Sequence, residues 1–285
     1  MPALEDELGD IISKARSGLG LSTRQLAAAT GLSEHETDQI ESYRLIPDRP
    51  VLTALANSLS LEPEKLIGIA DGWAPAPLQF SSDRMTLNIV PVSYGGYGEN
   101  CYIVASAQTR AAAVIDPGGA ADKIIGQLDA SGLRLELVLI THAHGDHVGA
   151  LARLIASKPD ARIVSHPLER GSFAPPARWE PAGDGAMMHL GELDVTALHT
   201  PGHTRGSTCY AVNGVCLVGD TLFAGSIGRP ASPTAYRPML SAIRSKLLSL
   251  PDSTILLPGH GPATTVGEEN ARNPFFRPGR PVPNP

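Results

Sequence analysis

Apolar residues follow two different spacings along the chain. Between residue 5 and about residue 72 they recur at helical intervals, which indicates several short helices around a small core. The helix starts are marked by side chains that can satisfy free backbone N–H groups, namely the capping boxes Ser22–Gln25 and Ser33–Glu36 and the cap Asp48 before Pro50. The sequence therefore predicts a small all-α unit over residues 1–72.

Residues 73–84 break this pattern with prolines and small polar residues, which is typical of a linker. Beyond the linker, apolar runs of strand type alternate with helical stretches. The strand-type runs are 87–92, 101–105, 112–115, 135–140, 195–198, 208–212, 215–218 and 254–257, and the helical stretches are 120–128, 148–157 and 237–250. This mixture predicts an α/β domain over residues 85–285 that ends in a proline-rich tail.

Composition narrows the class of protein. A chain of 285 residues with 42% hydrophobic residues can bury two cores, and it contains no short repeat. The acidic start MPALEDELGD has no apolar signal segment, and no run reaches about 18 apolar residues, so we expect a cytoplasmic protein without membrane contact. Cys101, Cys209 and Cys216 lie in apolar runs without metal-type spacing, and we expect them to be reduced core residues.

The strongest chemical signal follows the apolar run 135–140, where the chain reads THAHGDH. His142, His144, Asp146 and His147 stand where a strand ends and a helix begins, so their side chains can converge on one pocket. Imidazoles and a carboxylate crowded together would be costly to desolvate without a cation. This segment therefore predicts a metal site.

Three more candidate ligands each follow a strand-type run: His203 in HTPGHT, Asp220 in LVGD and His260 in LLPGH. Seven ligands are enough for two metal positions. The order of these segments resembles the metallo-β-lactamase superfamily of hydrolases over about residues 85–275. The resemblance implies an αββα sandwich with the ligand loops along one edge.

In that superfamily the ligands divide into two sites. The resemblance assigns His142, His144 and His203 to the first metal, and Asp146, His147 and His260 to the second, with Asp220 bridging both. Asp146 could instead orient the nucleophile through a free oxygen. Both Asp146 and Asp220 are thus candidate catalytic residues. The metals are expected to be two divalent ions, zinc in the first place, although iron and manganese accept the same ligands.

Within the superfamily, aspartate at position 220 resembles glyoxalase II rather than the class B β-lactamases, which commonly have cysteine there. The short interval between Asp220 and His260 leaves no room for the inserted domain of the nuclease branch. The expected function is therefore hydrolysis of a small-molecule thioester or related ester by a metal-activated hydroxide. His166, His189 and His199 match no ligand position and are expected to be structural or exposed.

Segments 223–229 and 256–275 resemble the short glyoxalase II-like hydrolases of bacteria. Arg229 is a candidate for binding a substrate carboxylate, or it pairs with a structural carboxylate. The chain departs from the relatives after Gly228-Arg229, where Pro230 follows, and too few residues follow His260 for a glutathione-binding helical domain. The glycine-rich loop 93–100 can supply a lid with a contact from Tyr97, or it is a plain hairpin.

Two alternatives to hydrolysis stay open. The ligand order also resembles the persulfide dioxygenases, which use one iron on the positions of His142, His203 and Asp220. The other alternative is a transcriptional regulator whose metal domain senses a thiol metabolite.

The helical unit resembles the helix-turn-helix of Xre/Cro-like regulators over roughly residues 5–70. Its charge opposes that function, because residues 1–72 contain 6 basic and 12 acidic side chains, whereas residues 73–285 contain 17 of each. DNA binding needs basic side chains against phosphates, so DNA is disfavoured as a partner. A docking or dimerisation role is the alternative, and we expect a homodimer.

Overall fold

The computed structural model describes residues 3–172 and 178–277. Within these ranges the chain begins with helices α1 Leu8–Gly18, α2 Thr23–Thr30, α3 Glu34–Glu41, α4 Arg49–Ser58 and α5 Pro63–Ala70. The predicted all-α unit is thus present. That it acts as a helix-turn-helix module stays a prediction, and the tail beyond residue 277 lies outside the described residues.

The predicted helix caps are confirmed. The Ser22 hydroxyl accepts from the Gln25 N–H at 3.1 Å, and the Gln25 side chain accepts from the Ser22 N–H at 2.8 Å. Ser33 forms the same reciprocal pair at the start of α3. Asp48 caps α4 through the N–H of Val51 at 3.0 Å. These polar side chains supply the hydrogen bonds that the first turn of a helix lacks.

Two six-stranded sheets form the rest of the fold. The first sheet has the order β1 Met85–Tyr94, β2 Tyr97–Ser106, β3 Ala111–Ile115, β4 Arg134–Leu139, β5 Arg162–Ser165 and β6 Trp179–Pro181. Strands β1 to β3 pair antiparallel, and β3 to β6 pair parallel.

The remaining strands in chain order are β7 Met187–Leu190, β8 Leu193–His199, β9 Thr208–Val212, β10 Val215–Gly219, β11 Leu222–Phe223, β12 Ser226–Ile227, β13 Ile255–Pro258 and β14 Thr264–Thr265. The second sheet has the order β14-β13-β10-β9-β8-β7, and β11 with β12 forms a separate two-stranded ribbon. Strand β10 runs parallel to β13, so their carboxyl ends meet at one edge.

Helices cover both outer faces of this sandwich. They are α6 Ala121–Ala130, α7 Gly145–Val148, α8 Leu151–Ser157, α9 Pro233–Ala242, which continues into a π-helical turn Ile243–Leu247, and α10 Val266–Arg272. One buried cluster fills the space between the sheets, and another packs the first sheet against α6 and α8. The predicted α/β sandwich is confirmed as a layered α/β fold.

The third buried cluster joins the N-terminal helices to the second sheet. It contains Ile11 and Ile12 of α1 together with Cys216 of β10 and Tyr236 and Met239 of α9. The N-terminal helices therefore share a core with the sandwich. The domain boundary at residue 72 stays a prediction, although residues 73–84 contain no helix or strand.

Two further expectations can be compared with the structure. Cys101, Cys209 and Cys216 are buried free thiols, as predicted. Among the described residues, no helix is long and apolar enough to cross a membrane.

Candidate metal centre

The seven predicted ligands meet at one edge of the sandwich, in loops that follow strands. His142 and His144 follow β4, Asp146 and His147 lie on the short helix α7, and His203, Asp220 and His260 follow β8, β10 and β13. Gly219 allows the turn into Asp220, because its φ is +47° and an added Cβ would lie 2.2 Å from the Thr141 hydroxyl.

The first group consists of His142, His144 and His203. The Nδ1 atom of His144 lies 3.0 Å from Nε2 of His142 and 3.0 Å from Nε2 of His203. Two nitrogens bound tetrahedrally at 2.0–2.1 Å from one ion lie about 3.4 Å apart, so these three nitrogens are spaced nearly as a zinc-type site requires. They converge as one metal-binding group.

The second group consists of Asp146, His147 and His260. An Oδ atom of Asp146 lies 3.4 Å from Nε2 of His260 and 4.0 Å from Nε2 of His147. Asp220 stands between the two groups. Its Oδ1 lies 3.3 Å from Nε2 of His147, and its Oδ2 lies 3.6 Å from Nε2 of His203 and 3.7 Å from Nε2 of His260.

These residues fit a pair of divalent ions. Nε2 of His147 and Oδ1 of Asp220 are fully buried and make no hydrogen bond. Buried polar atoms without partners are costly, and a cation between them would use both lone pairs. The fit rests on these atoms and on the convergence of the ring nitrogens.

Hydrogen bonds fix the imidazole nitrogens that point away from the centre. Nδ1 of His203 donates to the backbone oxygen of Arg229 at 2.9 Å, and Nδ1 of His260 donates to that of Gly98 at 2.6 Å. Nδ1 of His147 lies 3.0 Å from Oδ2 of Asp116. Each bond turns Nε2 of its histidine toward the centre, as is usual around metal-ligating histidines.

Comparison with known proteins agrees with this geometry. The profile of the metallo-beta-lactamase superfamily matches residues 94–260. The chain belongs to the metallo-beta-lactamase superfamily. Members of this superfamily bind divalent metals, and this chain has converging His and Asp side chains that could hold them.

Three known proteins are similar to this chain over nearly the whole of their own length. Hydroxyacylglutathione hydrolase GloC of Haemophilus influenzae is 35% identical over 212 residues, which are 67% of this chain and 98% of the relative. The structure of BLEG-1 B3 metallo-beta-lactamase is 30% identical with a TM-score of 0.60, covering 67% of this chain and 99% of that one. The structure of TTHA1623 in a di-iron-bound form is 34% identical with a TM-score of 0.56, covering 66% and 100%.

Asp116 is a site residue of this superfamily member that the sequence analysis missed. Its Oδ1 accepts from the Thr141 N–H at 2.8 Å, and its Oδ2 accepts from the Thr141 hydroxyl at 2.6 Å. The same carboxylate holds His147. Asp116 directly follows the strand-type run 112–115, and that position, shared with the predicted ligands, could have pointed to it.

Glu169 is a second residue that the sequence analysis missed. Its carboxylate accepts from the N–H groups of Ala143 at 2.8 Å and Gly206 at 2.9 Å, and from the Thr204 hydroxyl at 2.7 Å. It thereby ties the loop of the first histidines to the loop of His203. No motif surrounds Glu169, so the sequence held no signal for this role.

Burial and neighbouring charges set the protonation of the centre. Burial lowers the pKa of His142 well below its ordinary value, and His147 lowers it further. Burial alone would raise the pKa of Asp220, but the neighbouring His147 holds it well below its usual range. His142 is therefore neutral and Asp220 ionised near neutral pH, which are the forms that coordinate cations.

Glu99 lies behind the centre. Its side chain is buried, 4.0 Å from Nδ1 of His147, and neither oxygen has a hydrogen-bond partner among the described residues. Burial, reinforced by neighbouring carboxylates including Asp116, raises the pKa of Glu99 to about 10.

The remaining predicted residues lie around or away from the centre. Arg229 is exposed and makes no side-chain hydrogen bond or ion pair within the described part of the chain. Tyr97 begins β2, and its side chain lies outside the described residues. The three other histidines fit the expectation that they are structural or exposed: His166 stacks on His199 with ring centroids 4.0 Å apart, and His189 is exposed beside Asp194.

Proposed function

We propose that the protein is a metallohydrolase that cleaves a thioester or related ester, using two divalent ions. One observation carries this proposal: Asp220 lies within 3.7 Å of ligand nitrogens from both groups, so one carboxylate can bridge two ions. His142, His144 and His203 would hold one ion, and Asp146, His147 and His260 the other.

The bound ions would acidify a water molecule and polarise the substrate carbonyl. The chain's own residues fix the geometry for that step. Asp220 holds the two groups together, and the backbone oxygens of Arg229 and Gly98 orient His203 and His260. Asp146 is partly exposed, so one of its oxygens can orient the attacking water.

The expected substrate is a thioester, because a thiolate leaves without help from a strong general acid. The similarity to GloC, a hydroxyacylglutathione hydrolase, supports this reaction class. Arg229 supports a substrate with a carboxylate, because its guanidinium lines the same cavity as the ligands and has no protein partner among the described residues.

Turnover of acyl thioesters by the metal-loaded protein tests the proposal. His142→Ala should lower kcat/KM by at least about 100-fold, because even residues that only support a ligand typically cost 10- to 100-fold. His189→Ala is the matched control, since His189 is exposed and away from both groups, and it should keep full activity. Full activity in His142→Ala would refute the assignment.

Iron-dependent oxidation of a persulfide is the second candidate function. The di-iron-bound form of a similar structure favours iron as an occupant of such ligands. Metal analysis of the purified protein, combined with oxygen consumption on glutathione persulfide, separates the two. If the protein contains zinc and takes up no oxygen, the oxidation is excluded.

A further inference from the structure

The cavity over the metal centre has a wall that the superfamily match does not include. The cavity holds about 490 Å³ and is lined on one side by Asp146, His203, Asp220 and His260. The N-terminal segment builds another part of the lining, through Glu5, Asp6, Asp10 and Lys14. The superfamily profile matches residues 94–260, so this wall lies outside the matched region.

Lys14 fixes the wall in place. Its side chain is buried, forms an ion pair with Asp6, and donates to the backbone oxygen of Ile227 at 2.8 Å. Its ammonium also lies 4.9 Å from the ring centroid of Phe223, which itself lines the cavity. A buried ammonium that bonds to both chain segments holds them in one arrangement.

The loop of His260 is fitted to the same segment. Gly261 has a φ of +73°, and a Cβ added there would lie 3.0 Å from both the backbone nitrogen and the Cβ of Glu5. Only glycine meets both conditions without strain. The residue next to a predicted ligand is therefore in van der Waals contact with Glu5.

Glu5 is the wall carboxylate that remains available to a ligand. Asp6 is neutralised by Lys14, and the Asp10 carboxylate accepts from the Tyr43 hydroxyl at 2.6 Å and from the Glu7 N–H at 3.1 Å. The Glu5 side chain is exposed to the cavity and makes no hydrogen bond or ion pair within residues 3–172 and 178–277.

We propose that the N-terminal helical unit forms part of the substrate site, and that Glu5 selects substrates whose thiol portion carries a positively charged nitrogen. This inference rests on the proposed thioester hydrolysis. In this arrangement the reacting carbonyl would lie at the metal ligands, and the thiol end of the substrate would lie beside Glu5. A carboxylate at that end disfavours a purely anionic thiol and stabilises a cationic one.

Three thioacetates of different charge test the proposal on the metal-loaded full chain. Acetylthiocholine is cationic, its isostere S-(3,3-dimethylbutyl) thioacetate is neutral, and S-acetyl-3-mercaptopropionate is anionic. We expect kcat/KM to be highest for the cationic ester. Glu5→Gln should lower its advantage over the neutral isostere about fivefold to tenfold, mainly through KM, because Glu5 does not touch the reacting carbonyl.

Glu64→Gln is the matched control, because Glu64 is an exposed carboxylate of α5 that does not line the cavity. It should leave the preference unchanged. Glu5→Lys should reverse the preference toward the anionic ester. An unchanged ratio of cationic to neutral ester in Glu5→Gln would overturn the inference while leaving the hydrolysis intact.

A binding measurement separates this inference from the proposed reaction. If the wild-type protein cleaves none of the three esters, the thioester function fails. Calorimetry with choline and with the neutral 3,3-dimethylbutan-1-ol then tests Glu5 directly. Weaker choline binding in Glu5→Gln, with the alcohol unaffected, supports charge selection, and equal choline binding in both proteins refutes it.

Discussion

At the scale of single residues, the metal centre depends on groups that do not touch the metal. Asp116 holds Nδ1 of His147 and is itself held by Thr141, so the ring cannot rotate away from the centre. The THAHGDH pattern reveals ligands because they are close in sequence. It does not reveal Asp116, which comes from a neighbouring strand end and approaches only in the fold.

Asp116→Asn should weaken metal binding by about 10- to 100-fold, the usual effect of removing a carboxylate behind a metal-bound histidine. Competition with a chromogenic chelator measures the change. Asp122→Asn is the control, because Asp122 is exposed on α6, where it pairs with Arg153. Equal metal affinity in the Asp116 variant and the wild type would show that Asp116 does not support the site.

The buried carboxyl of Glu269, which lies away from the metal centre, should make the stability of the protein depend on pH. It is fully buried, where it accepts from the Gly225 N–H, the Thr264 hydroxyl and the Asn273 amide. Burial raises its pKa to about 7. Because the folded state holds this proton more tightly than the unfolded state, the stabilising effect is complete below about pH 4.5 and is lost as the pH rises to 7.

Glu269→Gln removes this titration. The stability of the variant relative to wild type should therefore rise by up to about 3 kcal/mol between pH 4.5 and pH 7. Urea unfolding at several pH values gives this difference. Glu64→Gln, which changes an exposed carboxylate, should show no such trend, and a flat difference for Glu269→Gln would contradict the expectation.

At the scale of elements, long apolar runs were predictable and short or interrupted elements were not. The run 208–212 coincides with β9, and 112–115 with all but the first residue of β3, because buried central strands are apolar throughout. The strands β5, β6 and β7 were missed, since they mix polar and apolar residues over three or four positions, whereas the equally short β13 is apolar throughout and was predicted. Helix α9 begins earlier than predicted, at Pro233, because proline fits the first turn of a helix.

The attachment of α1 gives a prediction at the same scale. Lys14→Ala would leave the Asp6 carboxylate buried without its partner and remove the bond to Ile227. Breaking a buried pair in this way typically costs about 3–5 kcal/mol. Urea unfolding should show that loss, whereas Arg153→Ala, which breaks the exposed pair with Asp122, should cost less than about 1 kcal/mol. Equal effects of the two changes would mean that α1 is not held by Lys14.

At the scale of the whole molecule, the sequence separated two halves that the structure packs together. Spacing and charge distinguish residues 1–72 from the rest, but neither property shows which surface the helices cover. The packing decides this, because the apolar sides of α1 and α9 meet in one buried cluster. Part of the acidic surplus of the first 72 residues lies at the cavity over the metal centre, which Glu5, Asp6 and Asp10 line.

Because α1 and α9 share that buried cluster, the helical unit and the sandwich should unfold together. Calorimetry should give one transition whose calorimetric and van't Hoff enthalpies agree. Chelation should move this transition as a whole, because metal at about 100 times its Kd contributes roughly 2.7 kcal/mol, equivalent to about 4–5 °C for a chain of this size. A separate early transition that is insensitive to the chelator would instead show that residues 1–72 are an independent domain, and would remove the fixed wall on which Glu5 depends.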